Sequence, residues 1–456
     1  MLKRYIIVQK AHEKHPIVRI GPNSLSFGDA RAVQDILGHG TPVTKEDFYA
    51  AVAGTHRHVA DVQDKTEHTR KRRMLANAYS QKAIERYEVI VHDKVQRMIN
   101  EFDKFCTSAP NGRTHFSEDE TKLDYRNFAN YFTYEVIADI GLSEDLKFIP
   151  NHSDEATAET IDGQLYKAHA AESLHEGTKI AATFAWSPKW YGFNNKWTQF
   201  HPGWAHGNAF TDIVIHLVRK RLEREAKGED LDDFVSVLLR DADGNPRGLS
   251  FGEIEAECNI MMNAGNDTTA IQLTNCLNLL IQHPRVLNKL REELDAVDSD
   301  EDIFPYEKVR NLPYLKACLD ESLRLHPPTG CGMPRVTPPE GCTILGEYIP
   351  GNTTVSIAAW TAHRDPKVWH HPEEYLPERW LEPDAKDLQK YFIPFSAGGR
   401  GCIGRNISYL EQQVLIGTLC KRYDFAFKYP GWELEQVEGL NKWPGPMPLK
   451  VWRRNV

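Results

Sequence analysis

No two cysteines in this chain are spaced C-x-x-C. The eight present, at positions 106, 258, 276, 318, 331, 342, 402 and 420, are scattered. That excludes a zinc knuckle and a dense disulfide framework, and it fits a reducing compartment or the cytosolic face of a membrane. Positive charge is not in excess either: 55 Lys and Arg stand against 64 Asp and Glu, a net charge of -9. Without a basic field, no nucleic-acid partner is expected. No stretch approaches the roughly 20 apolar residues of a membrane-spanning helix. Met1 to Lys10 (MLKRYIIVQK) is too short and too charged for a secretory signal. Internal repeats, low-complexity blocks and a regular alternation of strand and helix are also missing, and the last absence speaks against a doubly wound α/β sheet.

The 456 residues are 41% hydrophobic and 26% charged, ordinary for a soluble globular protein with a sizeable core. Length alone allows one large unit or two to three smaller ones. Ile17 to Gly28 alternates apolar and polar residues around Gly21-Pro22-Asn23 and reads as a short hairpin. Asp61 to Glu225 is mostly helical in pattern, with breaks expected at Ser108 to Arg113, around Pro150, and in the Trp- and Asn-rich stretch Ala185 to Trp204. Ser250 and Glu253 form a capping box that opens a long helix ending at His283-Pro284. At 1.5 Å per residue it is roughly 50 Å long, enough to cross a whole domain. A second helix spans Pro313 to Leu325. Short β-like runs follow at Cys342 to Tyr348 and Thr353 to Ala359, then a proline-broken coil from Asp365 to Pro394, then a final helix after Cys402.

Gly399-Arg400-Gly401-Cys402-Ile403-Gly404 fits the dinucleotide fingerprint G-x-G-x-x-G, with Asp424 at the tempting distance beyond it. That reading fails on context. Pro394 disrupts the strand that should feed the loop, and too little chain follows to build further β-α-β crossovers. Read around Cys402 instead, the loop is Phe395-x-x-Gly398-x-Arg400-x-Cys402-x-Gly404. Small residues at 398, 399, 401 and 404 would let backbone N–H groups approach a thiolate, and a helix start just after Cys402 favours its negative charge. The plain alternative is that Cys402 is a small buried hydrophobe, the usual fate of a free cysteine, but the loop pattern favours a ligand thiolate.

Three more segments bear on the choice. Glu321-Ser322-Leu323-Arg324 sets an acid and a base on one helix face, and Arg379 follows in Pro377-Glu378-Arg379-Trp380. Ala264-Gly265-Asn266-Asp267-Thr268-Thr269 puts glycine and two threonines in the middle of the long helix, where threonine can turn its hydroxyl to the carbonyl four residues back. His68-Thr69-Arg70-Lys71-Arg72-Arg73 carries His68 and Arg72 on one face. Together with the Cys402 loop, these segments resemble the cytochrome P-450 family, in the family's order and over nearly the whole chain.

The resemblance implies a mainly α fold with small β-sheets, one large haem-enclosing domain over residues 1–456. It implies haem b held by Cys402 as axial thiolate, with Phe395, Arg400 and Gly404 in the same loop and His68, Arg72 and Arg335 on the propionates. Ala264 and Gly265 would leave room for dioxygen, and Asp267 with Thr268 would relay protons. Glu321, Arg324 and Arg379 would form a buried structural network. Lys71 and Arg73 are expected to point elsewhere and help dock an acidic electron donor. The implied activity is insertion of one oxygen atom of O2 into a lipophilic small molecule. Electrons would come from NADPH through a separate cytochrome P-450 reductase, with cytochrome b5 as a further donor. The wording AWTAHRDPKVWHHPEEYLPERWL is similar to fungal microsomal members, which suggests secondary-metabolite biosynthesis at the cytosolic face of the endoplasmic reticulum, although the membrane helix and proline-rich hinge of such members are missing. Two alternatives stay open: a haem-thiolate isomerase or dehydratase that needs no O2, and a non-catalytic haem-binding protein.

Overall fold

The helix Phe251–Gln282 runs through the main core of the fold. The structure, a computed structural model, describes residues 3–299 and 301–454. The capping box forms as expected: Ser250 Oγ accepts from the Glu253 N–H at 3.3 Å and Glu253 Oε2 accepts from the Ser250 N–H at 3.0 Å. These contacts satisfy two of the groups a helix start leaves without partners. From Thr269 to Leu280 every residue is buried, as expected for a helix enclosed on all sides. It packs against Tyr125–Leu142, Pro313–Leu325 and Arg405–Arg422. Leu277, Leu280, Leu319, Leu415 and Leu419 are fully excluded from solvent in that core, each contributing roughly 1.5–3 kcal/mol by burial.

The principal sheet is small and lies to one side. Its five strands run in the order Ile17–Gly21, Ser24–Phe27, Thr354–Ile357, Arg335–Val336, Thr44–Lys45. The expected N-terminal hairpin is its first pair. Only Ser24–Phe27 with Thr354–Ile357 is parallel. In the last pair Lys45 stands directly opposite Arg335. The helix Pro313–Leu325 begins with proline at its first turn, and its next N–H groups, of Tyr314 and Leu315, both donate to the Glu293 carboxylate at 2.8 Å. A carboxylate from a neighbouring helix thus caps a start that has no cap of its own in the sequence.

Three local expectations are corrected. Ala185 to Trp204 is more helical than expected: it breaks only at residues 186–187 and 199–201, and Pro188–Thr198 and Pro202–Ala226 are both helical. Pro188 and Pro202 are helix starters rather than breakers, since proline at the first position gives up only an N–H that had no partner. Glu155–Glu159 and Leu165–His169 form a hairpin inside the span read as helical. The run from Cys342 is two strands, Cys342–Ile344 and Glu347–Ile349, joined by Leu345 and Gly346 at φ of 53° and 81°. A two-residue turn with both φ positive matches strand twist, but leucine in that position gives no sequence signal.

Glu321, Arg324 and Arg379 meet as the resemblance implies, all with side chains fully buried. Arg324 donates through Nε and Nη2 to Glu321 at 2.9 Å, and Arg379 Nε donates at 3.0 Å. Glu321 also accepts from the Trp380 indole at 2.9 Å and the Leu376 N–H at 3.1 Å. The remaining guanidinium N–H groups donate to carbonyls of His363, Pro372 and Glu374 from Arg324, and of His370 and His371 from Arg379. The proline-rich coil therefore has fixed positions although it has little regular structure. Removing the carboxylate strands two buried cations, so Glu321→Ala should lose roughly 3–5 kcal/mol of stability, read by urea unfolding. A loss below 1 kcal/mol would mean that the network is dispensable.

Candidate active site

The Cys402 loop is a turn with two defined constraints. Gly398 has φ +64°, and a Cβ there would come within 2.2 Å of the Leu37 carbonyl oxygen, so only glycine fits. At Gly401 a Cβ would lie 3.2 Å from the Gly398 oxygen. A Cβ at Gly399 would meet nothing within 4 Å and one at Gly404 only ordinary contacts, so protein packing alone does not demand glycine there; the Gly404 N–H does approach the Cys402 sulfur, as expected. The turn is closed by the Cys402 N–H donating to the Phe395 oxygen at 2.8 Å and the Gly401 N–H to Gly398 at 3.1 Å. Arg72 Nη1 donates to the Gly401 oxygen at 2.7 Å, fastening the loop to the helix Lys65–Leu75. Phe395 packs on Tyr409 at 5.4 Å.

Cys402 lies just before the helix Arg405–Arg422. Burial pushes its thiol up, while the N–H groups of Gly404 and Arg405 and the charges of Arg72 and Arg405 pull against that. The net shift is upward, but those donors are aimed to stabilise a thiolate once a metal ion neutralises it. The Cys402 side chain is exposed. Its exposure is to an internal cavity of about 380 Å³. Mid-helix Ala264 is exposed for the same reason, and Ala264, Gly265, Thr268 and Cys402 all line that cavity. Thr268 Oγ1 donates to the Ala264 oxygen at 2.8 Å, the back-bond read from the sequence. A Cβ on Gly265 would strike Ile137 at 2.7 Å, so this glycine also serves helix packing.

Asp267 does not line the cavity. Its buried carboxylate accepts from His175 Nε2 at 2.8 Å, Asn441 Nδ2 at 2.7 Å and Trp443 Nε1 at 2.9 Å, with Arg126 Nη2 at 3.9 Å. Burial alone would raise its pKa, but His175, Arg126 and Asn441 outweigh it and hold the group below the usual carboxylate range. His175 belongs to the helix Ala170–Ala185, is partly exposed, and packs on Trp443 at 4.7 Å. Asp267 thus joins three segments distant in sequence, and sequence reading found none of its partners.

The rim near the loop is basic. Arg400 donates to the Val62 and Gln63 oxygens at 2.6 and 2.8 Å. His68 lines the cavity, and burial with the charges of Arg400, Lys45 and Arg72 lowers it to about 4, so it is neutral near pH 7. Arg335 is placed differently from the expectation: it donates to the Tyr49 hydroxyl at 2.6 Å and does not line the cavity. The residue that does is Lys45, opposite it in the sheet. Lys45 Nζ donates to the Ala60 oxygen, and burial plus the charges of Arg335 and Arg400 lower it to about 7. Like charges directly opposite across strands repel, and these two are buried. Lys71 is also corrected. It is buried against Glu257 of the long helix at 2.9 Å and is not available to an electron donor, whereas Arg73 is exposed.

A thiol at a helix start, a largely apolar cavity across it and a rim rich in cations define a haem-thiolate protein: the cysteine fits the iron, and Lys45, His68, Arg72 and Arg400 fit two propionates. The comparisons agree. The sequence pattern of the cytochrome P-450 family matches residues 3–438. Benzoate 4-monooxygenase bphA of Aspergillus niger is 30% identical over 99% of this chain and 88% of its own. Cytochrome P-450 monooxygenase efuB of Hormonema carpetanum is 30% identical over 91% and 79%, and astA of Talaromyces wortmannii is 28% identical over 98% and 85%. The chain belongs to the cytochrome P-450 family. It is a haem-thiolate monooxygenase, an oxidoreductase.

Lys45 gives a signed test. A lysine whose pKa falls on folding, from 10.5 to about 7, binds fewer protons folded than unfolded between those values. The cofactor-free protein should therefore gain stability as pH rises from about 7 to 10.5. Lys45→Met should abolish that gain while speeding haem loss. Thermal unfolding of apoprotein across pH and haem transfer to apomyoglobin measure the two; an unchanged pH slope would remove the buried charge from the account.

Proposed function

We propose that the whole chain, residues 1–456, works as one catalytic unit that oxidises a lipophilic small molecule with O2. The observation carrying this is the placement of Cys402 and the Ala264–Thr268 stretch on one cavity. Haem b, when bound, supplies O2 activation and the oxidising power, with the thiolate donating electron density. The remaining work belongs to the chain. Arg72, Arg400, Lys45 and His68 would hold the propionates, and Arg335, opposite Lys45 in the sheet, adds to the positive charge behind them. Ala264 and Gly265 keep the helix surface low over the centre. Thr268 offers a hydroxyl to the cavity, and Asp267, one residue before it, connects that turn to partly exposed His175 and so to outside protons.

The wall that would meet substrate includes Ile260, Met261, Met333, Ile357 and Leu440. These side chains carry no charge, which supports a lipophilic substrate over a free acid such as the one in the bphA name. The fungal relatives support a role in secondary metabolism. Electrons would come from NADPH through a separate cytochrome P-450 reductase, with cytochrome b5 as an alternative second donor, and exposed Arg73 suits an acidic partner.

No helix among the described residues is long and apolar enough to cross a membrane. Residence at the cytosolic face of the endoplasmic reticulum is supported instead by the helix Pro188–Thr198 and its exit. Trp190, Phe193, Trp197 and Phe200, spaced three to four apart, are all more than half exposed. No Asp or Glu occurs between Glu176 and Asp212, while Lys189 and Lys196 are exposed. Aromatic rings beside lysines suit a lipid headgroup layer.

Reduced protein with carbon monoxide should show the red-shifted thiolate-type Soret band, and Cys402→Ala should lose it; its persistence in that variant would sink the assignment. With reductase present, Thr268→Ala should lower product formation by roughly 100-fold, within the range for proton transfer, and divert NADPH to hydrogen peroxide. Turnover without NADPH would favour an isomerase or dehydratase. Replacing Trp190, Phe193, Trp197 and Phe200 with serine should abolish cosedimentation with anionic vesicles; undiminished binding would place the contact elsewhere.

A further inference from the structure

His363 lies outside every segment just given a role, and it is fully buried. It follows the short helix Ala359–Ala362. Its ring has partners on two edges: Nδ1 is 3.1 Å from the Arg324 carbonyl oxygen, and Nε2 is 2.9 Å from the backbone N of Ile393. A carbonyl oxygen only accepts and a backbone N–H only donates. The ring must therefore be neutral, with its proton on Nδ1. Burial and the guanidiniums of Arg324 and Arg364 favour the same neutral state. Arg324 returns the contact, donating Nη1 to the His363 oxygen at 2.8 Å. The ring stacks on Phe392 at 5.5 Å and meets Trp369 edge-on at 6.1 Å, leaving it no other orientation.

The Ile393 end leads to the thiol. Pro394 has no N–H, so Ile393 is the last residue before Phe395 whose backbone can be held by a donor contact. The Ile393 oxygen accepts from the Ser396 N–H at 3.0 Å, and the Phe395 oxygen accepts from the Cys402 N–H at 2.8 Å. One imidazole thus stands between the Glu321–Arg324–Arg379 network and the turn that aims the sulfur. Nearby Arg364 contributes a parallel tie that does not reach the loop, donating Nη2 to the Leu325 oxygen at 2.9 Å and Nε to the Glu373 carboxylate at 3.0 Å.

We propose that His363, as the neutral Nδ1–H tautomer, is the positioning residue that suspends the Cys402 loop from the buried charge network, with Nε2 as the acceptor that sets the loop's geometry. The proposal rests on the haem-thiolate assignment, so the wild-type ferrous–CO spectrum is recorded first; failure to see the thiolate band there refutes that assignment and not the role of His363. His363→Gln keeps an acceptor within reach of the Ile393 N–H. His363→Asn keeps a donor for the Arg324 oxygen but is too short to reach Ile393. With equal haem content, Gln should retain most of the thiolate-type band while Asn shifts most of it to the blue-shifted form of a protonated or displaced thiolate. Apoprotein melting temperatures should fall by similar amounts in both. Equal band ratios in the two variants, whether retained or lost together, would reduce His363 to a packing residue and overturn the proposal. If neither variant folds, isotope-labelled histidine NMR of the diamagnetic ferrous–CO wild type decides: a buried neutral Nδ1–H imidazole supports it, and an imidazolium or Nε2–H tautomer overturns it.

Discussion

A carboxylate moved from water into a site with no exposure keeps its charge only if every lone pair finds a donor. Glu321 meets that demand with two guanidiniums, an indole N–H and a backbone N–H. Both arginines then need acceptors for their remaining N–H groups, and they find them only on the carbonyls of a coil that has almost no regular hydrogen bonding of its own. One buried charge therefore dictates the path of the chain from His363 to Arg379. That path leads directly into the loop carrying Cys402. A network with no chemical role sets the coordinates of the residue that has one.

The two sides of the cavity have opposite electrostatic problems. On the loop side, cations outnumber acids: Lys45, Arg72, Arg335 and Arg400 crowd one rim, and the folded protein tolerates this by holding Lys45 near neutrality and His68 well below its ordinary value. A dianion such as a pair of propionates would offset that crowding. On the long-helix side, Asp267 is oversupplied with donors and stays ionised in the interior. Its clamp on His175, Asn441 and Trp443 ties the helix over the cavity to the C-terminal hairpin. This carboxylate, set back from the cavity wall, is thereby also a joint between elements around the cavity.

Much of this was legible in the sequence where a local rule was strong. The capping box at Ser250, the proline start at Pro313, the Thr268 back-bond and the spacing of Glu321 with Arg324 depend on contacts three or four residues apart, and all are found. Reading failed where the deciding contact was long-range. Pro188 and Pro202 lay in a stretch read as broken because proline both breaks and begins helices, and each proves to start one, Pro188–Thr198 and Pro202–Ala226. Lys71 sat in a basic run that looked solvated until Glu257, far along the chain, was brought to it. Lys45 rather than Arg335 lines the cavity, although the two face each other across the sheet, because Arg335 is drawn to the hydroxyl of Tyr49, far from it along the chain.

The sequence by itself determined the chemistry: a cysteine in a glycine turn before a helix, an acid and an alcohol in the centre of a long helix, and an acid with two arginines. Those choices follow from residue type and short spacing, and no tertiary information alters them. The fold alone decided which groups act together. That Cys402 and Ala264 face one cavity, that Asp267 turns from it toward His175, and that His363 links Arg324 to Ile393 are facts about residues tens to hundreds of positions apart. Their proximity is fixed by packing around one buried helix, which sequence spacing does not record.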